Sequence, residues 1–100
     1  MRRIRLDALP WTEPNEGVRS KSTVHDSRKV RVVEFSEGFA DADWCCAEHI
    51  GFVLNGRLEV VFADSAEVFC TGDIIMIGKG DKHRARVVEG PVRLFLVEEA

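Results

Sequence analysis

From Lys29 onward, apolar and polar residues alternate in short bursts with a period of two. KVRVVEF sets Val30 and Val32 against Arg31, Val33 and Phe35, which is the pattern of a strand. WCCAEHIGFVL predicts another strand, and the Asn55-Gly56 dipeptide after it predicts a tight turn that reverses the chain. RLEVVF then places Leu58, Val60 and Phe62 on one face. AEVFC, IIMI, HRARVV and VRLFLVEE complete the set, separated by the turn-forming stretches ADSA, TGD, GKGD and EGP. No segment after residue 29 carries a helical period. Six or more strands at a spacing of about ten residues predict an all-β sandwich or barrel over residues 29–100. The preceding EPNEGVRSKSTVHDS tract is polar and turn-rich. Residues 1–28 therefore read as an N-terminal arm and first turns, pinned by Leu6, Leu9 and Trp11.

Side chains alternate across a strand, which divides the central segment into two faces. Asp43, Cys45, Ala47, His49, Gly51 and Val53 share one face. Trp44, Cys46, Glu48, Ile50, Phe52 and Leu54 share the other. The second face is apolar enough to be expected in contact with another sheet or a second subunit. The first gathers small residues around several groups able to bind a metal. Small side chains leave room, and room inside a barrel is a pocket. Ala47, Gly51, Val53 and Ala85 are the expected pocket residues around Asp43, Cys45, His49 and His83.

The spacing of these residues resembles that of a cupin. GDIIMIGKGDKH fits the family's second motif, with Gly72, Gly78 in the proline slot, Gly80, and His83 in the histidine slot. The family's closing asparagine slot holds Val87. VLNG fits the end of the first motif. Counting back from Gly56, the glutamate slot falls on His49 and the paired histidine slots on Asp43 and Cys45. Gly38 stands one place from the family's leading glycine. The resemblance covers roughly residues 29–97 and implies a double-stranded β-helix barrel of jelly-roll type. It also implies a divalent metal (iron, zinc or manganese) held by His49, His83, Cys45 and Asp43. Two histidines and a carboxylate suit Fe(II), whereas the Cys45 thiolate shifts preference toward zinc, or toward thiolate-bound iron or copper. Polar sugars and small oxygenated acids are the implied ligands. An enzyme on this frame would be a metal-dependent isomerase or oxygenase. Change at three of the four ligand positions leaves open a metal-free binding, sensing or dimer-assembly module.

Other chemistry is weaker. Cys45 as a nucleophile would need a base. His49, four residues along an extended strand, would lie about 13 Å away, which leaves His83. GKGDKH lacks the spacing and ending of a phosphate loop. Arg84 and Arg86 alternate with Ala85 and Val87 and are expected to face solvent or a neighbouring sheet.

Composition narrows the partners. The 100 residues allow one domain with a small core, so pairing into a homodimer is expected. A net charge of −3 with no basic stripe argues against nucleic acid. No apolar run reaches membrane-spanning length, and MRRIRLDALPW has the charge of a signal segment without its apolar core. Three cysteines, two of them adjacent, do not suggest a disulfide framework. A reducing cytoplasm is the expected setting.

Overall fold

The computed structural model describes residues 3–100. Seven strands, and one 3-10 turn at Leu6–Ala8, make up its regular structure. The strands are β1 (Thr12–Asn15), β2 (Val18–His25), β3 (Arg28–Phe35), β4 (His49–Phe62), β5 (Ala66–Cys70), β6 (Ile74–Ile77) and β7 (His83–Glu99). All pairings are antiparallel, in the order β1-β2-β3-β7-β4-β5, with β6 on β4.

Two long strands, β4 and β7, build both layers of the barrel. The second half of β7 pairs with β3 and with the first half of β4, which also carries β6. The first half of β7 pairs with the second half of β4, which carries β5. Each strand bends where it passes from one layer to the other. In β4 the bend is Asn55–Gly56, where the register against β7 shifts between Val53 and Leu58. In β7 it is Gly90–Pro91. The bends lie against each other, with Asn55 Nδ2 donating to the Pro91 carbonyl at 2.9 Å. Gly56 sits at φ +91°, and a Cβ there would come within 2.7 Å of the Pro91 carbonyl oxygen. The expected reversals at NG and EGP are thus corners inside continuous strands. A bulge turns the sheet without ending the ladder.

The start of the chain also differs from expectation. Residues 12–25 form the β1-β2 hairpin and add it to the edge of the sheet beside β3. The buried positions of β2 are Val18 and Ser20, and Ser22, next in phase, is exposed, so its alternation is barely apolar. Asp26 and Ser27 both have positive φ between the paired residues His25 and Arg28, which makes a two-residue hairpin without glycine. The described part of the arm, residues 3–11, lies over the outer face of this edge. Lys21 Nζ donates to the Leu6 carbonyl at 3.2 Å. The Trp11 ring packs on Arg19 and Lys21, at 4.1 and 4.7 Å from its centre. Residues 1 and 2 of the expected arm lie outside the described residues.

The core fills the space between the layers with Val18, Val33, Val53, Leu58, Val60, Ile75, Ile77, Val87, Val92, Leu94 and Leu96. These come from alternate positions on five strands, as a barrel interior requires. One end of the interior is not filled.

Candidate metal centre

Cys45, His49 and His83 meet at that unfilled end, with one donor atom from each lying within 4.8 Å of the others. His83 opens β7 and is buried. His49 opens β4 on the facing strand. Cys45 lies in the connection before β4 and is held to His83 by a pair of backbone hydrogen bonds of 2.8 and 2.9 Å. The rings of His49 and His83 meet edge to face with centres 5.1 Å apart.

The contact between Cys45 and His49 corrects the sequence reading. Residues 46–48 are not strand. The chain folds back so that the Ala47 amide donates to Cys45 Sγ at 3.5 Å, and Sγ then lies 3.9 Å from His49 Nε2. The expected separation of about 13 Å assumed an extended chain.

Hydrogen bonds fix the tautomer of both histidines. His83 Nδ1 lies 2.7 Å from the Asp81 carbonyl oxygen, which can only accept. His49 Nδ1 lies 3.2 Å from Glu98 Oε2. Burial opposes charge on Glu98, but hydrogen bonds from His49 and Arg31 outweigh it and lower its pKa to about 2. Glu98 is therefore ionised at neutral pH and also only accepts. Each Nδ1 is the donor in its hydrogen bond, so in the neutral ring Nε2 presents a lone pair. Histidines that bind metals are oriented in this way, through the second ring nitrogen. Arg31 completes the chain of contacts, with Nε and Nη2 donating to Glu98 at 2.7 and 3.0 Å.

The donor set fits a metal. Zinc takes sulfur at about 2.3 Å and imidazole nitrogen at about 2.0–2.1 Å, so two tetrahedral ligand atoms lie about 3.5 Å apart. The 3.9 Å from Sγ to Nε2 needs a few tenths of an ångström of closure, and the widest separation in the cluster, within 4.8 Å, needs about an ångström more. Three protein ligands leave a fourth position open, as in catalytic rather than structural zinc sites.

The cavity beside the cluster holds about 350 Å³. Its walls are mostly apolar, with Val18, Val33, Phe35, Phe39, Leu58, Val60, Ile75, Ile77, Leu94 and Leu96 among them. Phe35 and Phe39 stack with ring centres 4.7 Å apart and planes 11° apart. Besides the cluster, Arg31 and Asp41 bring charge to the wall. Asp41 Oδ2 accepts from the Ala85 amide at 2.9 Å.

The other expected site residues take different places. Asp43 is exposed, since the chain bends at Ala42 and Asp43 and the strand alternation does not run through them. Of the expected pocket residues, Ala85 lies on the cavity wall and Val53 is sealed in the core. Ala47 is exposed and lines an outer depression with Cys46 and Lys79. Gly51 sits where β4 crosses close to β7, and a Cβ there would run into the Phe95 carbonyl oxygen. The sequence reading missed Arg31, Asp41 and Glu98. Two of them did leave a signal. Arg31 falls in phase with Val33 and Phe35, and Glu98 with Leu94 and Leu96, so each is a charge on a core-facing stripe.

No protein-family model matches the sequence, and no curated protein sequence matches it. Solved structures do. KdgF from Halomonas sp. superposes with a TM-score of 0.79 at 20% identity, over 91% of this chain and 87% of that one. An RmlC-like cupin from Shewanella frigidimarina gives 0.78 at 13% identity, over 100% and 92%. The fold is that of a cupin. The polyketide cyclase RemF from Streptomyces resistomycificus has a TM-score of 0.81 at 20% identity, over 99% and 79%. This cupin barrel carries its histidine and cysteine cluster at one end of the interior, between the strands that hold its two layers together. No helix among the described residues is long and apolar enough to cross a membrane.

Proposed function

We propose that this cupin holds a zinc ion on Cys45, His49 and His83 and acts on a small molecule bound in the adjoining cavity. The observation that carries the reading is a pair of imidazoles anchored through Nδ1, with His49 Nε2 3.9 Å from the Cys45 sulfur and one donor atom of each of the three residues within 4.8 Å of the others. A thiolate among the donors favours zinc over iron or manganese. Zinc has no redox chemistry, which favours isomerisation or a related proton-transfer reaction over oxygenation. A zinc ion in such a site polarises a ligand oxygen as a Lewis acid. Asp41 supplies a carboxylate on the same cavity wall to take or return a proton. Arg31, clamped by Glu98, orients an oxygen of the bound molecule. Elemental analysis of protein purified without a metal-affinity tag tests the reading. About one zinc per chain is expected, and Cys45→Ser, His49→Ala and His83→Ala should each lose it. Wild-type protein that neither carries nor takes up zinc, iron or manganese sinks the proposal.

A second reading has its own observation. Cys45, His49 and Glu98 stand in the order nucleophile, base and orienting carboxylate. Without metal, Cys45 would act as a thiol nucleophile. Its alkylation by iodoacetamide would then depend on His49 and would not be slowed by added zinc.

We also propose that a second copy of the chain covers the outer face of β6, β4 and β7. Ile74, Met76, Ile50, Phe52 and Phe95 lie side by side there, all exposed. A monomer of 11.2 kDa is expected to expose about 5,700 Å². This chain exposes 6618 Å². The surplus is close to the ~800 Å² that each partner buries in a standard interface. Met76→Glu should convert dimer to monomer in light scattering, and a wild type that is monomeric at high concentration overturns the idea. All three cysteines are free, which suits a reducing compartment such as the cytoplasm.

A further inference from the structure

The chemistry of the cavity wall selects among the molecules it could hold. We infer that the ligand is a flat, mainly apolar molecule with one anionic head, of the class of aromatic monoacids. The inference deepens the proposed function, because it names the ligand class for the same site.

Apart from Asn15, the polar side chains on the wall are those of the cluster, Arg31 and Asp41, and the rest is hydrocarbon. A polyhydroxylated ligand would put most of its hydroxyls against Val33, Leu58, Ile75 and Leu94, none of which offers a hydrogen bond. Each hydroxyl buried without a partner costs about 1–3 kcal/mol. A sugar acid is therefore a poor fit, although the cupin resemblance points toward sugars. The stacked Phe35 and Phe39 rings make part of the wall flat and aromatic, and aromatic rings pack on one another in offset or edge contacts. The volume is near the lower end of small-molecule sites, which run roughly 300–1,000 Å³. A fused ring system with its head group fills it.

The head is set by Arg31 and limited by Asp41. Two of the three guanidinium nitrogens of Arg31 are bound to Glu98, and Nη1 has no acceptor among the described residues. Nη1 is not sealed from solvent, since no buried side-chain nitrogen or oxygen lacks a partner. The fork is held rigid by Glu98, and Nη1 stays free to donate on the cavity wall that Arg31 lines. A carboxylate or phenolate head can accept from it. A second acidic group would meet Asp41, which forms no ion pair with a cation among the described residues.

Isothermal titration with 2-naphthoate, galacturonate and the neutral 2-naphthalenemethanol tests the inference. It is run on zinc-loaded and chelator-treated protein, and on Arg31→Gln and Ala85→Leu. Circular dichroism and zinc content are recorded for every variant. 2-Naphthoate should bind better than either comparison compound. Arg31→Gln should weaken it by about 10–100-fold, the worth of a hydrogen bond to a charged group. Ala85→Leu, which fills the cavity while keeping its apolar character, should weaken it at least as much with fold and zinc retained. If zinc binds but 2-naphthoate does not, or galacturonate binds better, the ligand class is wrong and the metal centre stands. If 2-naphthoate binds with the same dependence on Arg31 and Ala85 in protein that never takes up zinc, the ligand class stands and the metal centre falls. Binding that ignores both substitutions is surface association and overturns the inference.

Discussion

Two carboxylates, one on each face of the same sheet, are bound in parallel ways and serve different ends. Glu34 on β3 points outward and takes Arg19 from β2 and Arg93 from β7, at 2.8 and 2.6 Å. Glu98 on β7 points inward and takes Arg31 from β3 and His49 from β4, at 2.7 and 3.2 Å. Both tie neighbouring strands together. The difference is one partner. Around Glu34 both partners are arginines, whose charge does not change, and Trp11 lies against each of them. Around Glu98 one arginine is replaced by a histidine, and the far nitrogen of that histidine faces Cys45. The outer cluster holds the arm to the sheet. The inner cluster passes the rigidity of the sheet to His49 Nε2, an atom of the proposed metal centre.

This contrast is broken most strongly by Glu98→Gln. The amide can no longer hold the His49 proton with a full charge, and zinc affinity should fall about 10–100-fold, as found when the outer partner of a ligand histidine is lost. Competition with a fluorescent chelator measures it, and unchanged affinity would mean that Glu98 serves only the ion pair with Arg31. Glu34→Gln should do the reverse. Zinc affinity stays as in wild type, while stability drops by about 1–3 kcal/mol because Arg19 and Arg93 lose a charged acceptor. Urea denaturation reads this directly.

Acid sharpens the same comparison. The Glu34 pKa lies below its ordinary 4.5, chiefly through the hydrogen bond from Arg19, with burial opposing and Arg93 adding to the effect. A depressed folded-state pKa contributes stability that is complete above the unfolded value and is lost as pH falls through the folded one. The stability gap between wild type and Glu34→Gln should therefore be wide at about pH 7 and should narrow below about pH 4. A gap independent of pH would show that the substitution acts through packing. The smallest effect belongs to Trp11→Ala. Cation–aromatic contacts at partly exposed sites are worth about 0.5–1 kcal/mol, and the loss should appear as faster amide exchange in residues 3–11 rather than as a large shift in melting.

The strands were legible because period-two alternation is written locally, and β3, β5 and β6 fall where the pattern places them. The corners at Asn55–Gly56 and Gly90–Pro91 were not. A strand that bends and a strand that reverses use the same residues, and only pairing with distant chain distinguishes them. β2 escaped for a different reason, because Ser20 occupies a buried position where the pattern expects an apolar residue, and Ser22 follows it in phase. In the centre, the glycine spacing before His83 pointed to one member of the cluster. Parity named Cys45 and His49 through a strand that does not run between them, and it failed at Asp43, where the chain bends before β4 begins. Glu98 lies 49 residues from His49, and no local pattern joins them.

The part played by β7 has a consequence for how the protein is made. This strand pairs with both β3 and β4, so neither layer closes until residues 83–99 have left the ribosome. The β2-β3 hairpin can form early, since its pairing is local. Most of the sheet depends on contacts between distant parts of the chain, a topology that folds slowly. His83 begins β7 and Glu98 lies one residue from its end. The nascent chain therefore exposes Cys45 and His49 well before His83 and Glu98 exist, and the proposed metal centre could assemble only when synthesis of the barrel is nearly over.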